Sequence, residues 1–132
     1  MTIERIDPEG LPTPVGYTQV TVATGGRVVH VSGQIGVDAD GTLAGDDLRS
    51  QAEQAFRNLA TALTAAGATL ADVAKITFFI VDYTPDSMGP LFEAAVAAFG
   101  AEVPVTATTL IGVACLSDPS HKIEVEATAV IP

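Results

Sequence analysis

Tryptophan is absent from this chain and tyrosine occurs twice in 132 residues, so the aromatic platforms on which unpaired bases stack are missing. Basic residues are almost as scarce: six lysines and arginines stand against 16 acids, a formal net charge of -10. A field of that sign repels phosphate backbones and anionic lipid surfaces. No basic cluster interrupts it, so neither nucleic acid nor a membrane surface is an expected partner. A single cysteine, Cys115, rules out an internal disulfide. It has no basic neighbour to depress its thiol, and it is expected to be a small buried hydrophobe. Two histidines, His30 and His121, without a close carboxylate spacing make no metal site, and no cofactor is implied. Nothing resembles a signal peptide or an apolar run long enough to span a bilayer, so the expected location is the cytoplasm.

What the chain does have is apolar residues in excess of its charge. Hydrophobic residues make up 48% and charged residues only 17%, with a mean hydropathy of +0.39. One domain over residues 1–132 is expected, with a single core. So little charge is low for a small monomer's surface, which predicts apolar area buried between subunits.

Pro8, Gly10, Pro12, Pro14 and Gly16 predict an extended surface arm over residues 1 to 16. A strand over residues 17 to 23 should turn through Gly25-Gly26 into a hairpin with the strand at residues 28 to 36. These glycines lack the strand-loop-helix context of a phosphate cradle. Asp46 or Asp47 can cap a long helix that ends before Gly67, with Leu48, Ala52, Ala55, Phe56, Leu59, Leu63 and Ala66 on its inner face. Residues 74 to 81 (AKITFFIV) read as a central strand buried on both faces. A second helix over residues 87 to 99 should turn Met88, Leu91, Phe92, Ala95, Val96 and Phe99 inward. Strands over residues 105 to 113 and 122 to 131 follow, the last with Ile123, Val125, Ala127 and Ala129 opposite Glu124, Glu126 and Thr128. The resulting class is α+β, a mixed sheet with two helices on one face. The other face, rich in Thr, Glu, Ser and Gln, suits a sister subunit.

The stretch at residues 28 to 36 (VVHVSGQIG) has two different sides, with Val29, Val31 and Ile35 on one and His30, Ser32 and Gln34 on the other. Its VSGQIG run resembles the signature of the RidA/YjgF family of reactive intermediate deaminases. Four further segments match in order: Gly16-Tyr17, Gln51 to Asn58 on a helix, Ala66-Gly67-Ala68, and Ile123-Glu124-Val125-Glu126-Ala127. The resemblance implies a chorismate-mutase-like fold, assembled as a homotrimer around a central barrel, with clefts between subunits that bind small molecules. It also implies that Glu124 positions a hydrolytic water, since opening an imine needs proton transfer to and from water and the departing amine. Tyr17 matches a cleft tyrosine, and Ser32 lies at a bend beside the cleft. His30 and Ser32 share a face, but no ordered acid completes a triad.

The chain departs from that pattern at one point. Deaminating relatives carry an arginine two residues after a proline, where a guanidinium grips the substrate carboxylate. Here the segment is Pro104-Val105-Thr106-Ala107-Thr108-Thr109. Counting from the proline puts Thr106 in the arginine's place, and counting back from residues 112 to 116 puts Thr108 there. Losing such a pair costs about 2 to 3 kcal/mol, on the order of a hundredfold in affinity. The expected function is hydrolysis of small reactive imines, enamines or related carbonyl compounds with an altered substrate preference. A non-catalytic metabolite-binding trimer and a scaffold are the alternatives. Ribonuclease activity, attributed to some relatives, is disfavoured by the charge.

Overall fold

A computed structural model describes residues 2–132. In chain order the elements are β1 (Thr2–Ile6), β2 (Val20–Thr24), β3 (Arg27–Ile35), α1 (Leu48–Ala65), β4 (Val73–Val81), α2 (Met88–Phe99), β5 (Ala107–Val113) and β6 (Ile123–Ile131). Four strands form a mixed sheet in the order β3-β6-β4-β5. Its β3/β6 and β6/β4 pairs are antiparallel, and β4/β5 is parallel. The parallel pair is joined through α2, as such a crossover requires. No helix among the described residues is long and apolar enough to cross a membrane.

Both helices lie on one face of the sheet, and the alternation along β6 shows why. Ile123, Val125, Ala127, Ala129 and Ile131 are buried with Ile76 and Ile80 of β4, while Glu124, Glu126 and Thr128 point the other way. Phe56 of α1 ties the layers together, edge-on to Phe78 of β4 at 5.7 Å and stacked on Phe99 of α2 at 5.4 Å. Asp47 caps α1 by accepting from the Ser50 amide at 2.9 Å, and Gly67 takes the left-handed turn after it with φ +79°. Gln51 is the one polar side chain on the inner face of α1 that is wholly buried. Its amide nitrogen donates to the carbonyls of Gly45 and Ser120, and its oxygen accepts from the Lys122 amide.

Five features differ from the sequence expectations. The arm contains a strand, β1, which pairs antiparallel with β2 as a separate ribbon; residue 1 of the arm lies outside the described residues. The hairpin expected between β2 and β3 does not form, because β2 crosses the starting ends of β4 and β5 instead. There the Thr18 amide donates to Thr106 O at 3.1 Å, the Thr21 hydroxyl to Ala74 O and the Arg5 Nε to Val105 O. On β3, the register shifts between Val31 and Gln34. Val31 pairs with buried Ala127, whereas Ile35 pairs with Glu124, so Ile35 moves to the side opposite Val31. On α2 the buried residues are Leu91, Ala94 and Phe99, while Met88, Phe92 and Val96 are exposed. Cys115 is also exposed rather than buried, since it lies in the loop past the end of β5.

Candidate functional site

The face of the sheet turned away from the helices is uncovered by any helix among the described residues. Its central row comes from β4 and β6, where Thr77 pairs with Glu126 and Phe79 with Glu124. Glu124 is half-buried, flanked across the strands by Phe79 on one side and Ile35 on the other. Its carboxylate lies over Gly33: a Cβ at that glycine would stand 1.8 Å from Oε2. Gly33 sits inside the register shift of β3, where the extra residue bends the strand and frees it from strict pairing. Ser32 beside it is exposed, its carbonyl accepting from the Gln34 side chain at 3.1 Å. A carboxylate and two apolar flanks thus meet at one end of the bare face, with exposed Ser32 next in the chain to the glycine on which the carboxylate rests.

Tyr17, Thr106 and Thr108 are at the other end. Tyr17 is half-buried in the bend before Thr18, which bridges to Ala107. Thr106 has no exposed surface, and its hydroxyl donates to Val73 O at 2.8 Å. Thr108 is half-buried beside Ile76 and donates to Thr106 O at 2.9 Å. Both hydroxyls are therefore spent inside the protomer, on the side of the sheet that Ile76 shares with the core. Ala107 is level with Lys75 on β4, while Glu124 is level with Phe79; at about 3.3 Å per residue the two ends are roughly 13 Å apart along the strands. A single protomer sets Glu124 against Gly33, the chain neighbour of Ser32, and it holds Tyr17, Thr106 and Thr108 at the other end of the sheet.

The bare face also carries a cation that no motif marks. Lys75 is exposed and its ammonium donates to the Thr109 hydroxyl; it pairs with Thr128 of β6, whose hydroxyl lies 3.3 Å from His30 Nδ1. The period-two alternation Lys75, Thr77, Phe79 within the apolar run carried that signal. A cleft of about 400 Å³ opens at the ribbon end, lined by Arg5, Leu70, Glu102, Val103, Pro104 and Val105. Glu124 is not among its lining residues.

Comparison with known proteins agrees with this architecture. A family model described as Endoribonuclease L-PSP matches residues 10–131. The chain is 31% identical to a 2-iminobutanoate/2-iminopropanoate deaminase of Dermatophagoides farinae, over 91% of this chain and 90% of that protein. It is 32% identical to one of Salmonella typhimurium, over 96% and 97%. Among solved structures, the Rid-family protein of unknown function YyfB from Yersinia pestis superposes with a TM-score of 0.89 at 34% identity, over 99% and 100% of the two chains. RidA from an Antarctic Psychrobacter superposes at 0.69 with 31% identity, over 97% and 99%. On the strength of its fold, its motif order and these matches, the chain belongs to the RidA/YjgF family.

Proposed function

We propose that this protein hydrolyses small imines or enamines in clefts completed by sister chains, with Glu124 as the proton-transfer group. The observation that carries the reading is the seat of Glu124: a half-buried carboxylate on an uncovered sheet face, laid against Gly33 and flanked by Phe79 and Ile35. Such a carboxylate can take a proton from water as the oxygen adds to the imine carbon and return it to the nitrogen, forming the carbinolamine; it can then carry the carbinolamine's hydroxyl proton to the nitrogen as the C–N bond breaks, leaving a carbonyl and ammonia. The apolar flanks limit competing solvent.

Tyr17 lies at the opposite end of the sheet from Glu124, and a ring of copies in head-to-tail contact is the arrangement that sets one end against the other. In the trimer we propose, Tyr17 and Ser32 would face the ligand. At the positions counted against the relatives' arginine, Thr106 is buried and Thr108 is neutral, both hydroxyls tied to backbone carbonyls, so no cation answers a substrate carboxylate there. Substrates without a carboxylate are then favoured. The nuclease activity named in the family model's description is a poor fit, because residues 76 to 121 contain no lysine or arginine.

The test is ammonia release from paired imines generated in place, one carboxylated and one with the carboxylate replaced by a methyl group. Turnover of the uncarboxylated member at least as fast as of its partner is expected. A strong preference for the carboxylated imine would overturn the altered specificity, and binding without turnover would make the protein a metabolite binder.

A further inference from the structure

Tyr17 comes off an exposed stretch of the arm. Leu11, Pro12, Thr13, Val15 and Gly16 are exposed, and Gly16 takes the left-handed conformation, φ +80°, directly before the tyrosine. What fixes the ring lies on its other side in the chain. Thr18 is 2% exposed; its amide donates to Thr106 O at 3.1 Å and its hydroxyl to Asp7 Oδ1 at 2.7 Å. The same Asp7 oxygen accepts from the Gln19 amide at 2.8 Å, and the Gln19 side chain donates to Pro12 O at 2.9 Å. The beginning of the arm, its middle and the approach to β5 are therefore all joined at the two residues that follow Tyr17.

The ribbon's register explains why an aspartate stands at residue 7. Ile6 opposite Val20 is the last pair of the ribbon, so Asp7 comes level with Gln19. There its short side chain supplies the acceptor that the strand ladder no longer offers the Gln19 amide. The ion pairs among the described residues, those of Glu53 with Arg49 and Arg57, do not involve Asp7. Both donors that it binds belong to the Tyr17 turn, and an ionised acceptor makes such bonds stronger than a neutral one does.

We propose that Asp7 and Thr18 form a clasp that positions Tyr17 in the ligand cleft, which makes Asp7 a positioning residue for binding and not a catalytic one. The inference rests on the role given to Tyr17 above. Opening the clasp frees the arm and the ring at its end, while Glu124 keeps its seat on Gly33 at the opposite end of the sheet. Substrate binding then weakens and the chemical step does not.

The first readout needs no substrate. With two tyrosines in the chain and no tryptophan, fluorotyrosine incorporation gives two fluorine NMR signals, assigned by Tyr17→Phe. Tyr83 follows β4 at the far end of that strand and serves as the internal control. Asp7→Ala and Thr18→Val, which keeps the buried shape but not the hydroxyl, should each move the Tyr17 signal toward that of the free amino acid. Thr18→Ser, which keeps the hydroxyl, should not. Tyr83 should stay in place in all three; a variant in which it also moves has lost the fold, and the other one decides. The second readout is imine turnover, where Asp7→Ala and Thr18→Val should each raise KM about tenfold with kcat within about twofold, and should add nothing to the loss in Tyr17→Ala. A Tyr17 signal indifferent to both substitutions, or a fall in kcat at constant KM, would overturn the clasp. The expected fluorine shifts in a chain that turns over no imine would support the clasp and overturn the imine reading instead.

Discussion

Glu124 and Gly33 share one space. A Cβ on the glycine would stand 2.6 Å from the Glu124 Cδ and 2.8 Å from its Cγ, distances at which one of the two must move. The carboxylate therefore depends on a missing side chain on the neighbouring strand. Gly33→Ala is expected to push Glu124 off its seat and to lower imine turnover on the order of a hundredfold, the scale of a misplaced proton-transfer group. Adding Gly33→Ala to Glu124→Ala should cost little more than Glu124→Ala alone. Full additivity of the two substitutions, measured by ammonia release, would show that they act separately.

Gln51 joins three backbone groups from two loops to the start of α1. Gln51→Leu keeps the volume and leaves the carbonyls of Gly45 and Ser120 and the amide of Lys122 without that partner. The expected loss is about 3 kcal/mol, read as a lower denaturant midpoint. A midpoint within error of the parent's would mean that the loops find other partners.

The ribbon is fastened by an acid. Asp7 Oδ1 accepts from the Gln19 amide at 2.8 Å and from the Thr18 hydroxyl at 2.7 Å, and these bonds, the amide's first, hold its carboxyl below the ordinary value. A carboxyl depressed in the folded state adds stability above its unfolded pKa, near 3.9, and loses it as pH falls through the lower folded value. The parent should therefore melt above Asp7→Asn at pH 7, and the gap should close below about pH 4. A gap that is constant over this range would remove the Asp7 contacts as its cause.

Assembly makes a separate prediction. Phe79 is half-buried beside Glu124 on the bare face, and the proposed ring covers it. Phe79→Asp should reduce the sedimenting species to one chain, because an unpaired charge cannot be buried there cheaply. If the unsubstituted chain sediments as one protomer, the ring is lost and the shared cleft with it.

Local pattern made much of the fold legible. The alternation from Ile123 onward, the three-and-four spacing from Ala52 to Leu63, and the apolar run of β4 each encode an element within one stretch of chain. What could not be read depends on distant partners. The route of β2 is decided by hydrogen bonds to Ala74 and Thr106, which no feature of residues 17 to 26 announces. The switch of Ile35 to the Glu124 side follows from a register shift at Ser32-Gly33; the glycine marks a bend, but nothing local says which face the residues after it take. The second helix is apolar all round, so no spacing rule could distinguish Phe92 from Leu91. Lys75 was hidden by the hydrophobic run around it.

Of the candidate site, Glu124 rests on the glycine next to Ser32, whereas the hydroxyls of the two threonines are committed inside the protomer. Hydroxyls so near a predicted ligand wall look available in a sequence, and only the positions of Val73 O and Thr106 O reveal that they are occupied.

The most direct measurement is the rate of ammonia release from an uncarboxylated imine by the unsubstituted chain and by Glu124→Gln, which preserves the shape and removes the proton acceptor. A fall of at least about a hundredfold with unchanged assembly mass is the expected result, within the range that general acid-base groups supply. Equal rates for the two proteins would contradict the role given to Glu124.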